Sequence, residues 1–153
     1  MTEQPPSASP LSRWATWREL QAQPSLWRAW AQEFQAGEVR DWLASLTAEE
    51  VWFSGAGTSA YIGDIVVAGL EGQGQALRSV PSTDLVSRPA SYLNGLSPLV
   101  VSFGRSGESP ETLGTLDALD ALAPKAPRLN VTCNPKGALA RRKSPGPCGV
   151  IVL

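Results

Sequence analysis

Short apolar runs alternate with helical stretches from Val51 to the end of the chain, and this alternation constrains the fold most. Five runs are predicted strands: residues 51–54, 76–80, 98–103, 128–133 and 149–153. The third run, PLVVSF, is largely apolar, as expected of a strand buried on both faces. Strands that alternate with helices favour a parallel sheet covered on both sides. The sequence therefore predicts an α/β fold, a doubly wound, three-layer arrangement with a five-stranded parallel sheet of order 2-1-3-4-5.

The residues before the first strand have a different character. Residues 1–12 are rich in Pro and Ser without an apolar repeat, which predicts a disordered leader. Residues 13–48 predict a helical segment, in which Thr16 and Glu19 have the spacing of a capping box. Pro24 fits the first turn of a second helix that ends at Gly37. The sheet domain is then expected over residues 49–153.

Five of the six tryptophans lie in this helical segment: Trp14, Trp17, Trp27, Trp30 and Trp42. One interpretation is an aromatic platform for a sugar or a partner. The other is an apolar stripe that packs onto the sheet domain or onto a sister subunit. Helical spacing explains the positions of Trp27, Trp30 and Phe34 without a ligand and favours packing.

Composition argues against several functional classes. Thirteen Lys and Arg residues against fourteen Asp and Glu give a net charge of −1, which disfavours a nucleic-acid-binding protein. No apolar run approaches the roughly 18 residues of a membrane span, and no signal peptide is recognisable. The two cysteines build neither a disulfide scaffold nor a four-ligand zinc site, so we expect a cytoplasmic location. Because histidine is absent, proton transfer needs a carboxylate, Lys, Tyr or Cys, or a residue of another chain.

A glycine-rich segment, residues 55–60, follows the first predicted strand and opens a helix. Glycine lets the backbone approach a ligand, and unpaired N–H groups at the helix start bind anions, with Thr58 and Ser59 adding two hydroxyls. The same string matches the G-x-G-x-x-A fingerprint of dinucleotide-binding proteins. That fingerprint also needs an acid at the end of the second strand, and Leu77-Arg78-Ser79-Val80 offers none, which disfavours a dinucleotide.

A second Ser- and Gly-rich segment, residues 102–112, follows the third predicted strand. Taken alone, this segment is as well explained by an ordinary strand-to-helix turn as by a ligand-binding loop. Ser109 would be the N-cap and Pro110 the first residue of the next helix. In a sheet of order 2-1-3-4-5, however, strands one and three are neighbours, so both segments meet at the switch point of the topology. Both helix N-termini then point towards one place. The hydroxyls that can meet a phosphate dianion there belong to Thr58, Ser59, Ser106 and Ser109.

Four further positions leave alternatives open. Arg105 is either a positive charge for the anion or a solvated surface residue. Glu108 would repel a dianion, so we expect it to face solvent or a sugar hydroxyl. Cys133 is a reactive thiol or, in the interpretation we favour, a buried inert one. Residues 141–143, Arg-Arg-Lys, are expected to form a solvated helix face rather than an anion patch.

The two segments together carry a family resemblance. Gly57-Thr58-Ser59 and Ser106-Gly107-Glu108-Ser109 resemble the sugar isomerase (SIS) domain of phosphosugar enzymes and regulators. Within that superfamily, residues 102–107 followed by Ser109-Pro110-Glu111 resemble the tagatose-6-phosphate ketose/aldose isomerase and galactosamine-6-phosphate deaminase family. Residues 16–24 with Trp27, and residues 131–134, resemble the same family. The likeness therefore runs from about Thr16 to Leu153.

This resemblance implies site residues and an organisation. The matching residues that bind the substrate's phosphate are Thr58, Ser59, Ser106 and Ser109, with Gly57, Gly104, Arg105 and Gly107 in the same site. Position 104 departs from the pattern, since many SIS domains have a phosphate-binding Ser there. The resemblance also implies two SIS domains in a complete chain, a homo-oligomer, and no metal or redox cofactor. The catalytic acid and base of related isomerases lie largely in the second SIS domain, so their identity here is unknown.

The expected function is part of a reaction on a phosphorylated hexose or hexosamine. A base removes a proton next to the carbonyl, an enediol or enamine forms, and the proton returns to the neighbouring carbon, with or without loss of an amine at C2. Because the last predicted strand ends the chain, we expect the front part of a longer enzyme that does not catalyse alone. The alternatives are a stand-alone domain and a non-catalytic sugar-phosphate sensor of a regulator. The sensor is disfavoured because residues 13–48 are not basic and show no recognition helix.

Overall fold

Five short strands form one parallel sheet. In the computed structural model, which describes residues 10–153, the strands are Glu50–Gly55 (β1), Ala76–Ser79 (β2), Leu99–Gly104 (β3), Arg128–Thr132 (β4) and Cys148–Val152 (β5). Their order is β2-β1-β3-β4-β5, and all neighbours are parallel. The predicted fold class and strand order are confirmed.

Seven α-helices are present among the described residues. They are Ala15–Glu33 (α1), Ala36–Ala44 (α2), Ala60–Gly69 (α3), Ser82–Ser87 (α4), Pro89–Leu93 (α5), Pro110–Leu122 (α6) and Ala138–Arg141 (α7). Helix α6 begins at Pro110 as predicted, because Ser109 caps it. The sequence pattern does not predict α5. None of the described helices is long and apolar enough to cross a membrane.

The N-terminal helices differ from the prediction. A single helix, α1, runs through Pro24 where two helices were expected. Strong helix formers on both sides of Pro24 continue the helix through it, although proline removes one backbone hydrogen bond. Thr16 lies inside α1, and the N-cap is Trp14, whose side chain makes no capping bond, so the capping box is wrong. Residues 1–9 of the predicted leader lie outside the described part, and Pro10–Arg13 form a 3-10 helix.

Helix α1 has an exposed aromatic surface. No residue of α1 is buried, and Trp27 is 66% exposed. Trp30 stacks on Phe34 with ring centroids 4.4 Å apart, so this part of the predicted stripe packs on itself.

The contacts divide the chain after Glu38. The unit from Val39 to Leu153 contains the sheet together with residues 39–48, whereas the sequence pattern predicts the boundary at residue 48. Residues 39–48 belong to this unit because the apolar side of α2 packs on the sheet. Val39 and Trp42 contact a cluster on one face of the sheet formed by the buried residues Leu99, Val101 and Leu129.

The core lies on both faces of the sheet. On the face opposite α2, Trp52 and Val100 are fully buried among side chains that include Leu85 and Leu119 of α4 and α6. Successive residues of a strand point to opposite faces, so Val100 and Val101 belong to different layers. Burying one such side chain contributes about 1.5–3 kcal/mol. The fold therefore has three layers, with the sheet in the middle.

Candidate functional site

The loops that follow β1 and β3 lie side by side. Gly55 at the end of β1 is in register with Phe103 of β3, because the two strands are hydrogen-bonded neighbours. Residues 55–60, the first loop, and residues 104–109, the second loop, open onto one hollow of about 310 Å³. The hollow is lined by Ala56, Thr58, Ser59, Phe103, Gly104, Arg105, Ser106, Ser109 and Thr112. It lies at the point where the strand order reverses, which is the usual ligand position in open α/β sheets.

Most predicted site residues meet in this hollow. Those that line it are Thr58, Ser59, Gly104, Arg105, Ser106 and Ser109. Gly57 and Gly107 do not line it, but their backbone φ angles of +56° and +66° are ones that side-chain-bearing residues rarely adopt, so they shape the two loops. That these residues bind phosphate stays a prediction.

The first loop is held by close local packing. A Cβ atom on Gly55 would lie 2.6 Å from the carbonyl oxygen of Ser59, so only glycine allows this sharp turn. The amide of Ser59 donates to the carbonyl of Ala56 at 3.1 Å. Among the hydrogen bonds of residues 10–153, none uses the amide of Gly57 or the amide and hydroxyl of Thr58. These donors are available to a ligand.

The second loop is braced by the segment from Thr132, at the end of β4, to Leu139. Three consecutive carbonyl oxygens, those of Arg105, Ser106 and Gly107, accept hydrogen bonds of 2.9–3.2 Å from that segment. The donors are the hydroxyl of Thr132, the amides of Cys133 and Leu139, and the side-chain amide of Asn134. Within the described chain, the amides of residues 105–107 donate to no protein acceptor. A run of unpaired amides is a concave anion-binding arrangement.

Two hydroxyls of the second loop also support the fold. Ser109 caps α6: its Oγ accepts from the amide of Thr112 at 3.2 Å and lies 3.0 Å from the Thr112 hydroxyl. Ser106 Oγ accepts from the amide of Glu108 at 3.3 Å. An oxygen that accepts inside the protein keeps its own proton for an acceptor elsewhere. The Ser106 hydroxyl, and one hydroxyl of the Ser109–Thr112 pair, can therefore donate into the hollow.

The electrostatics of the hollow favour an anion. Arg105 is exposed and forms no ion pair with any described residue, so its charge is open to a ligand. The N-termini of α3 and α6 add partial positive charge at the same place.

Glu108 is exposed to solvent, which is one of the two expected outcomes, and it also makes a hydrogen bond that the sequence did not predict. Its Oε1 accepts from the amide of Ala138 at 2.8 Å, at the start of α7, although the residue is exposed. An unpaired helix amide attracts a carboxylate, and this bond holds Glu108 against the start of α7.

Two other expectations are corrected. Cys133 is exposed rather than buried, because it follows the last residue of β4. Arg142 of the basic run is not simply solvated, since it pairs with Asp117 and Asp120 at 2.7 Å. The hydrogen bond with Asp117 raises the pKa of Arg142, more than partial burial lowers it, and the charge of Asp120 adds to the increase.

Several residues that build the site have only weak sequence signals. Thr112 lines the hollow because it is one helical turn from the N-cap Ser109. Asn134 precedes a proline, and its Oδ1 accepts from the amide of Lys136 at 3.1 Å, a side-chain turn typical of Asn. That turn predicts a loop after β4 but not the bond to the second loop.

The sequence and the fold resemble those of known proteins. No family model matches the chain. It is 35% identical to the D-galactosamine-6-phosphate deaminase AgaS of Shewanella sp. (strain ANA-3), over 82% of this chain and 35% of that protein. It is 38% identical to the D-galactosamine-6-phosphate deaminase AgaS of Escherichia coli O157:H7, over 88% of this chain and 36% of that protein. The crystal structure of tagatose-6-phosphate ketose/aldose isomerase from Escherichia coli superposes with a TM-score of 0.79 and 31% identity, over 89% of this chain and 39% of that one.

The chain is a sugar isomerase (SIS) domain. It resembles the N-terminal half of the tagatose-6-phosphate ketose/aldose isomerase and galactosamine-6-phosphate deaminase family, which confirms the likeness stated from the loop motifs. The SIS domain spans only 35–39% of the length of the three proteins it is compared with.

Proposed function

We propose that the hollow binds the phosphate group of a phosphorylated hexose or hexosamine. On this proposal, the SIS domain is the phosphosugar-binding part of an aldose–ketose isomerase or amino-sugar-phosphate deaminase. The observation that carries the proposal is the convergence of unpaired amides and hydroxyls from two loops on one hollow. The family likeness then favours a sugar phosphate over other anions.

Each group has a specific task in this proposal. The phosphate oxygens accept from the hydroxyls of Thr58, Ser59, Ser106 and Ser109 and from the amides of both loops. A hydrogen bond to a charged group contributes about 1.5–3 kcal/mol, and Arg105 adds a full positive charge. Because the amides are held in place before the ligand arrives, they lose little entropy on binding. The phosphate then positions the carbonyl end of the sugar for proton transfer.

The proton transfer itself needs groups from elsewhere. Among the described residues that line the hollow, none is a carboxylate, Lys, Tyr or Cys, the side chains able to act as a base in a chain without histidine. Hence the chain alone binds the substrate and does not turn it over.

We further propose a cytoplasmic homo-oligomer. Both cysteines are free, which is typical of a reducing compartment. Tyr61 and Ile65 of α3 are 63% and 71% exposed next to the first loop, and exposed apolar side chains of this size support an interface with a second copy. Light scattering of the full chain tests the oligomer: a monomeric mass at micromolar concentration contradicts it.

Calorimetric titration tests the binding proposal. We expect galactosamine-6-phosphate and tagatose-6-phosphate to bind, and unphosphorylated galactosamine not to bind. Ser59→Ala should weaken sugar-phosphate binding about tenfold, the loss of roughly 1.4 kcal/mol. The matched control is Ser91→Ala, an exposed serine outside the hollow, which should bind like the unaltered chain. Binding of NAD but of neither sugar phosphate contradicts the proposal, and turnover by the chain alone contradicts the assignment of catalysis to other groups.

A further inference from the structure

A cluster of buried hydroxyls lies directly beneath the hollow. Ser54, Ser82, Ser102 and Thr115 line a small space of about 10 Å³ together with Gly55, Phe103 and Thr112. Phe103 and Thr112 also line the hollow above, so the two spaces share a wall.

The four hydroxyl oxygens have no protein partner. Their residues are only 2–6% exposed, and none of the four oxygens makes a hydrogen bond within the described chain. Most buried polar side-chain atoms in native proteins have a partner, and leaving one without costs stability. Four such groups, from β1, β3, α4 and α6, line the same small space. This coincidence points to a shared partner that is not a protein atom.

The size and chemistry of the space select the partner. A volume of about 10 Å³ is room for the centre of one water molecule, which typically makes two to four hydrogen bonds. Hydroxyls both donate and accept, as water does. No carboxylate lines the space, so a cation lacks a counter-charge. We infer that this cavity binds one ordered water molecule, hydrogen-bonded to the hydroxyls of Ser54, Ser82, Ser102 and Thr115.

This water has a positioning role for the loops above it. Ser54 immediately precedes the first loop, and Ser102 lies two residues before the second. Thr115 lies one helical turn after Thr112, and Ser82 begins α4. A water bound to all four residues therefore ties the ends of β1 and β3 to α4 and α6, which maintains the spacing between the loops. The inference does not depend on the sugar-phosphate proposal.

Thermal unfolding of the full chain without ligand tests the water. Thr115→Val keeps the side-chain volume and removes the hydroxyl. If the water is bound, it loses a partner, and we expect Tm to fall by about 2–4 °C. If the space is dry, removal of an unpartnered hydroxyl leaves Tm unchanged or raises it. The matched control is Ser79→Ala, whose hydroxyl is also buried without a partner but does not line this space. A Tm loss for Thr115→Val no larger than that of the control overturns the inference.

A double variant tests whether the partner is shared. Ser82→Ala should also lower Tm, and the double variant with Thr115→Val should lose less than the sum of the single losses, because both hydroxyls bind the same water. Strictly additive losses contradict one shared molecule.

A crystal structure of the unaltered chain keeps the inference testable if a variant fails to fold. We expect a density peak within about 3.2 Å of at least three of the four hydroxyl oxygens. A map that shows other buried waters but no peak here overturns the inference.

Discussion

The two loops present the same kinds of group to one hollow, but the protein holds them in different ways. The first loop is shaped by residues within it: Gly55 packs against Ser59, and the Ser59 amide bonds to Ala56. The second loop is shaped by residues about 30 positions later, through the bonds from Thr132 and Asn134. The first loop is thus locally encoded, whereas the second depends on β4 and α7 being in place.

The hydroxyls of the two loops differ accordingly. The hydroxyl of Thr58 makes no hydrogen bond within the described residues, so it is available to a ligand. By contrast, the hydroxyl oxygens of Ser106 and Ser109 each accept a hydrogen bond from a backbone amide. We therefore expect loss of a first-loop hydroxyl to affect binding alone, and loss of a second-loop hydroxyl to affect both stability and binding.

The largest contrast is expected between Gly57 of the first loop and Gly107 of the second, which both have positive φ. A Cβ on Gly107 would lie 2.9 Å from Leu139 Cβ, whereas a Cβ on Gly57 meets nothing within 4 Å. Gly57→Ala should lose about 1–2 kcal/mol of stability from backbone strain alone. Gly107→Ala should lose about 2–4 kcal/mol, because crowding adds to the strain. Denaturant unfolding of both variants measures the difference, and equal losses would show that the remote packing does not matter.

A smaller effect is expected from the bracing residue Asn134. Asn134→Ala removes the bond to the Ser106 carbonyl and the bond from the Lys136 amide, and should cost about 1–2 kcal/mol. Hydrogen exchange should quicken at the hydrogen-bonded amides of Glu108, Cys133 and Leu139 and stay unchanged at the amide of Ser59, because only the second loop loses its support. Asn94→Ala, at an exposed position after α5, is the control. Faster exchange in both loops would mean that the loops are coupled and the contrast is wrong.

The smallest difference in stability is expected between substitutions of Ser109 in the second loop and of Ser59 in the first. Ser109→Ala removes the N-cap of α6 and should cost about 1 kcal/mol, together with weaker sugar-phosphate binding. Ser59→Ala should change the unfolding free energy by less than about 0.5 kcal/mol while weakening binding to a similar degree. Unfolding and calorimetric titration of both variants distinguish the cases. A clear loss of stability for Ser59→Ala would remove the distinction between the loops.

The parts of the molecule that could be predicted from sequence are those with local signals. Helix α6 was predictable to the residue because Ser109 and Pro110 mark its start. Helix α1 was not predictable in this way, because a proline can either begin a new helix or lie inside a continuous one. Pro24 lies inside α1. The placement of six predicted site residues in one hollow followed from strand order, itself a consequence of the alternation of strands and helices.

The sequence by itself determined the two glycine-containing turns and the start of α6, because each depends on the backbone preferences of neighbouring residues. It also determined the strand order, through the alternation of strands and helices along the chain. Only the tertiary structure decided that Glu108 bonds to α7, that Asn134 braces the second loop, and that four hydroxyls converge below the hollow. Those contacts join residues far apart in the chain. Their partners are chosen by the packing of whole strands and helices, which no local pattern records.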